Sequence, residues 1–214
     1  VTAIADLTPL ILPFVRDCSA PAAIVAARFA CIEFYKLTLW QQEQLEPVDL
    51  QAGRAIYEIE TLPDTVPATV MRVEVAGRST PLTFKTKDEL DQLYGSQWTT
   101  LVGNPLYVTQ IEPGEIILVP GPDADVVDGM KLLVAVQPTP DAVEIDDSVF
   151  NYYSEALAYG ARARLVETAG QPYYDPQSAP MLWGRFYGGC SEAKARRMRE
   201  HTRAVQHVQL RKWV

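Results

Sequence analysis

The strongest constraint on this chain is a hydrophobic period that changes twice along its length. Residues 21–44 read as a helix: apolar side chains recur at helical spacing from Ile24 through Phe34, Ser19 can cap the start, and Pro21 fits the first turn. Pro47 ends it. Over residues 54–137 the period falls to two. Tyr57 and Ile59 alternate with Glu58 and Glu60, and Met71, Val73 and Val75 alternate with Arg72 and Glu74, as half-buried strands do. Further strands are expected over 82–85, 106–111, 115–119 and 131–137, separated by breaks such as Pro113-Gly114 and Gly121-Pro122-Asp123. A short helix over 88–94 interrupts them, with Thr86 and Glu89 spaced as a capping box.

After Pro138-Thr139-Pro140 the helical period returns. A helix is expected over 149–169, capped by Ser148 or Asp147 and stopped by Gly170 and Pro172. Ala156, Gly160 and Ala163 lie at helical spacing on it, so another helix can approach that face closely. The last long helix should begin between 175 and 180 and run to about Ala204. It carries Gly184, Gly188 and Gly189, each costing about 1 kcal/mol relative to alanine in a helix. A tight contact and a bend at Gly188-Gly189 are the two readings of those glycines. Beyond it, Val208, Leu210 and Lys212 alternate with Gln209, Arg211 and Trp213, the pattern of an extended tail.

The pattern predicts an α+β fold: a helical bundle (residues 1–50 and 140–205) with an antiparallel β module (51–139) inserted between its first and second long helices, and an extended C-terminal arm (206–214). With 214 residues, 48% of them hydrophobic, the chain can bury at least one real core.

Charge is unevenly spread. The formal net charge is -8, yet from Arg185 onward eight basic residues face two acidic ones, so the preceding part is strongly acidic. That argues against a protein that coats nucleic acid with its general surface, and suggests that the basic end meets an acidic partner or the acidic body of a neighbouring copy. Lys194, Arg196, Arg197, Arg199 and Arg203 form this basic helix, expected at a subunit boundary or facing a channel; a solvated helix face is the plainer alternative.

Cys18, Cys31 and Cys190 are scattered, without C-x-x-C spacing, so neither a disulfide framework nor a zinc site is expected. A reducing compartment, the cytoplasm, fits this usage. The apolar run from Pro9 to Val15 is too short to span a bilayer and lacks a preceding basic region, so no membrane association is expected.

The sequence carries no recognisable catalytic constellation. His201 and His207 sit among arginines, which disfavour the imidazolium and repel a metal cation. No nucleophile elbow, phosphate loop or dinucleotide fingerprint occurs. Asp146-Asp147 and Asp123 with Asp125 are carboxylate pairs, but the first precedes a helix N-terminus and the second lies in a turn. No catalytic residue, cofactor or metal is expected. Trp40, Trp98, Trp183 and Trp213 are spread over the chain, which fits core and interface anchors better than a stacking platform. Trp213, so near the end, suits partner anchoring.

The segment Asp146-Asp147-Ser148-Val149-Phe150-Asn151-Tyr152-Tyr153-Ser154-Glu155-Ala156-Leu157-Ala158-Tyr159-Gly160-Ala161-Arg162-Ala163-Arg164-Leu165, followed by Gly170-Gln171-Pro172-Tyr173, resembles the C-terminal half of head-to-tail adaptor proteins of tailed bacteriophages. Phe186-Tyr187-Gly188-Gly189 and Ala193-Lys194-Ala195-Arg196-Arg197 resemble that family's last helix. Upstream, Gly103-Asn104-Pro105-Leu106-Tyr107 and Leu118-Val119-Pro120-Gly121-Pro122-Asp123 are similar to its strand ends, so the likeness extends over most of residues 20–205. The family departs from this chain at Gly188-Gly189-Cys190, where a simpler helix is the rule.

The resemblance implies a structural virion protein of the head-tail neck: a homo-oligomeric, usually dodecameric ring docked under the portal, connected to a downstream tail or nozzle protein, with transient contact to the genomic DNA in its channel. It also implies that an extended C-terminal segment reaches the portal, here His207, Val208, Gln209, Leu210, Arg211, Lys212, Trp213 and Val214. Two other readings stay open: another tail-ring component such as a tail terminator or nozzle subunit, and a carbohydrate-binding module or small hydrolase built on the β region.

Overall fold

The computed structural model describes residues 1–112 and 114–198. In chain order the elements are β1 (Thr2–Ala3), α1 (Ala20–Thr38), β2 (Gln42–Gln44), β3 (Val48–Leu50), β4 (Ile56–Glu58), β5 (Thr65–Val75), β6 (Thr83–Phe84), α2 (Lys87–Tyr94), β7 (Tyr107–Thr109), β8 (Glu115–Val119), β9 (Val126–Pro138), β10 (Glu144–Ile145), α3 (Asp147–Val166) and α4 (Ala179–Met198). The fold is α+β. Contacts divide the chain into a helical unit, Val1–Trp40 with the described residues from Ala142 on, and a β unit, Gln41–Asp141.

In the helical unit, α1 starts as its sequence dictates: the Ser19 hydroxyl accepts from the Ala22 N–H, and a proline stands in the first turn. Its end differs from the expectation of about Gln44. Leu39 adopts a left-handed conformation (φ 52°) and its N–H closes on Tyr35 O, so the helix stops at Thr38 and the polar run after it becomes β2. Before α1, 3₁₀ turns over Ile4–Leu10 and Leu12–Phe14 place Ile4, Leu7 and Ile11 in the core. β1 pairs with β10, tying the start of the chain to the approach of α3.

The cap of α3 is Asp146, one residue before the two candidates read from the sequence; its carboxylate accepts from the Ser148 N–H at 2.7 Å. Asp146 thereby satisfies an amide that Asp147, the first helical residue, cannot reach. The helix ends at Val166, short of residue 169. α4 runs through Gly188 and Gly189 as one unbroken α-helix. Its expected end near Ala204, and the arm, lie outside the described residues. α1, α3 and α4 share one core, with Ala27, Ala30 and Phe34 meeting Leu157, Ala161, Phe186 and Ala193.

The β unit contains two four-stranded sheets. In one, β9 pairs with β5 along one edge and with β2 and β3 along the other; the second runs β4-β8-β7-β6. Met71, expected to face inward with Val73 and Val75, points outward and is 38% exposed. A register shift between Val70 and Arg72 inserts it as an extra residue, so Val70 takes the inward place and the alternation restarts at Val73. Against the antiparallel expectation, β6 and β7 pair in parallel, because α2 and the turn after it carry the chain back to the same end of the sheet. The capping box on α2 forms as spaced, with Thr86 Oγ1 accepting from the Glu89 N–H and Glu89 accepting from the Thr86 N–H.

Candidate functional site

The small residues on α3 create the closest helix contact. Gly160 and Ala163 are fully buried and Ala156 nearly so. A β-carbon on Gly160 would stand 2.7 Å from the Phe186 ring, so the absence of a side chain is what admits that ring between α3 and α1. Of the α4 glycines, Gly189 alone is pressed, against Ala156; Gly184 and Gly188 have open space where a β-carbon would stand.

Of the expected basic helix, Lys194 is exposed, Arg196 and Arg197 are half-buried, and Arg199 and Arg203 lie outside the described residues, as do His207 to Val214. The Arg196 guanidinium lies 4.2 Å from the centroid of the Tyr152 ring, which is itself exposed. Arg196 is therefore held on its own subunit by a cation–π contact.

Sequence reading missed a second basic cluster on the same helices. Arg162 is only 8% exposed, with its guanidinium 4.4 Å from the centroids of both Phe14 and Tyr159. Its Nε donates to Ala158 O at 3.3 Å. Arg185 lies 5.0 Å from the same Tyr159 ring and donates from Nη1 to the hydroxyl at 2.5 Å, while that hydroxyl donates to Glu155 at 3.1 Å. Phe14, Arg162, Tyr159 and Arg185 thus form one continuous run of aromatic and cationic groups. Burial, aided by the neighbouring Arg185 charge, lowers the Arg162 pKa, although Tyr159 and Glu155 oppose that shift. Arg164 repeats the motif over Trp183 at 5.3 Å. Helical spacing from Ala158 to Arg162 and the small residues beside it were the available signal; the pairing with Phe14, distant in sequence, was not.

The β unit has the opposite character. A cleft of about 700 Å³ is lined by Glu43, Glu46, Glu58 and Glu60 with one arginine, Arg54, over a floor that includes Leu45, Tyr57 and Leu132. Beside α1, Val25 and Phe29 are about half exposed and line a shallow apolar groove with Pro21 and Tyr173.

Three of the four paired carboxylates are engaged structurally. Asp146 caps α3, the Thr2 hydroxyl donates to Asp147 at 2.6 Å, and Asp125 accepts from the Ala52 N–H at 2.7 Å. The Thr2 hydroxyl and the Val1 amino group lower the Asp147 pKa. Burial pushes the Cys31 and Cys190 thiols up to about 12. Among the described residues no group of three or more His, Cys, Asp or Glu is placed to hold a metal ion, and no helix is long and apolar enough to cross a membrane.

The helical unit thus combines arginines stacked on aromatic rings with close-packed small residues, and the β unit carries an acidic cleft. The family model for the SU10 adaptor protein matches residues 2–210, and the chain belongs to that family. The resemblance read from the sequence and this membership agree: the chain is a phage adaptor protein, a component of the virion. A search of curated proteins finds no match.

Proposed function

We propose that this protein is a subunit of a homo-oligomeric, dodecameric ring that joins the portal of a tailed phage to its tail and surrounds the path of the DNA. The observation that carries the reading is the adaptor family match over residues 2–210. Uncovered surface on the helical unit supports it: Phe14, Val25, Phe29, Met181 and Tyr187 are each 45–67% exposed, the kind of apolar area that contact with other subunits removes from water. Uneven charge supports a heterologous, head-to-tail ring, since one subunit offers unlike surfaces to its two neighbours.

The role is structural, without turnover chemistry. Contact with DNA is weak and collective: the acidic character of the chain repels phosphate in general, while a few arginines facing a channel let the duplex slide. The arm at His207 to Val214 attaches to the portal. Many arms engaging one ring at once hold more tightly than any single arm.

Disrupting the gene in its phage tests the role. DNA-filled heads without tails are expected, restored by the protein supplied in trans; normal tailed particles without it would contradict the reading.

A further inference from the structure

We propose that Arg162 and Arg185, organised around Tyr159, form a carboxylate-binding site that receives an aspartate or glutamate side chain of a neighbouring copy of this chain. The inference rests on the ring reading above and adds a defined point of contact to it.

Arg162 is an unusual place for a cation. Its residue is 8% exposed, its guanidinium faces are covered by Phe14 and Tyr159, and one hydrogen bond, to Ala158 O, is its contact with the main chain. No ion pair joins it, or Arg185, to a carboxylate among the described residues. Taking a guanidinium out of water without a counterion is costly, and a second guanidinium on the same phenol adds repulsion. Glu155, reached through the Tyr159 hydroxyl, is the nearest compensation, and it leaves two cations against one anion. The cluster therefore carries a net positive charge.

Two further features make it a receptor. First, it is preorganised: stacking between rings and the hydrogen bond to Tyr159 hold both guanidiniums before any partner arrives. Planar guanidinium forks match a carboxylate bidentately. Second, it is reachable. Phe14 is 67% exposed, and Arg185 and Glu155 are exposed, so the cluster lies at the surface beneath a single ring.

A carboxylate suits the site better than a DNA phosphate. DNA must pass through the neck, which calls for exposed cations that hold it loosely. These arginines are fixed in one geometry and partly desolvated, which favours a lasting contact with one group. The chain itself carries 27 acidic residues against 19 basic ones, so every neighbouring copy brings carboxylates.

The test uses the full chain mixed with the portal protein of the same phage, with ring formation followed by light scattering or mass photometry. Arg185→Gln removes an exposed cation and should leave the fold unchanged while raising the concentration needed for half-assembly roughly tenfold or more. Arg162→Met should do the same, with a melting temperature equal to or above that of the wild-type subunit, since an unpaired buried charge is lost. Wild-type assembly by Arg185→Gln overturns the proposal. A photo-crosslinker in place of Met181, which is exposed one turn before Arg185 on α4 and leaves both arginines intact, then identifies the contact: a crosslink to an acidic peptide of another copy is expected, whereas crosslinks to the portal or to DNA alone contradict it. A wild-type chain that forms no ring even with the portal removes the ring reading itself, and this site with it.

Discussion

A β-carbon built on Gly189 would stand 2.5 Å from the β-carbon of Ala156, closer than two such atoms ever approach. The packing of α3 against α4 is thus set by a position where one helix has no side chain and the other has the smallest one. Gly184 and Gly188, in the same helix, meet nothing within 4 Å. Opposite effects of the same substitution follow. Gly189→Ala should destabilise by about 1–3 kcal/mol through overpacking, more than offsetting the better helix propensity of alanine. Gly184→Ala and Gly188→Ala should stabilise by roughly 0.5–1 kcal/mol. Urea unfolding of the three variants checks the signs; equal effects at Gly188 and Gly189 would contradict the close contact.

The capping box on α2 gives a second measurement. Thr86 Oγ1 accepts from the Glu89 N–H, Glu89 returns to the Thr86 N–H at 2.9 Å, and Glu89 also pairs with Lys85 at 2.8 Å. Thr86→Ala should cost about 1 kcal/mol, read as a loss of hydrogen-exchange protection in α2. Lys85→Gln should cost less, because Glu89 is exposed and the ion pair is screened.

Cysteine chemistry supplies a pH test. Burial lifts the Cys31 and Cys190 thiols from 9.0 to about 12, and Tyr35 is raised for the same reason. A raised folded-state pKa gives stability that is complete below the unfolded value and is lost as pH rises toward the folded one. Stability should therefore hold to about pH 9 and decline between about 9 and 12. At neutral pH a thiol reagent should reach Cys18, which is half-buried, well before Cys31 and Cys190, which react on unfolding. Rapid modification of Cys190 in the native protein would contradict its place in the core.

Local signals were legible in the sequence and distant ones were not. Ser19, Pro21 and the Thr86–Glu89 pair act within one turn, and they mark helix starts that the structure contains. Leu39 ends α1 in a left-handed turn that nothing in its residue type announces, since glycine or asparagine is the usual occupant. Gln42–Gln44 shows no apolar alternation because it is an edge strand held by backbone pairing to β9. Met71 kept the period of two while the bulge shifted its phase. The Gly160 contact was readable as a spacing of small residues, but its occupant, Phe186, was not. The Arg162 cluster joins Phe14, Tyr159 and Arg185 from separate parts of the chain, so only the fold reveals it.

The most direct test of the adaptor-ring account is the mass of the assembly that the purified chain forms with and without the portal protein of its phage, measured at low and high salt. The account predicts a closed ring, a single multiple of the 23.8 kDa subunit, bound to the portal. High salt should loosen it to the extent that exposed charge pairs hold it. A two-fold dimer under all conditions, or a chain that never associates with the portal, would contradict the account.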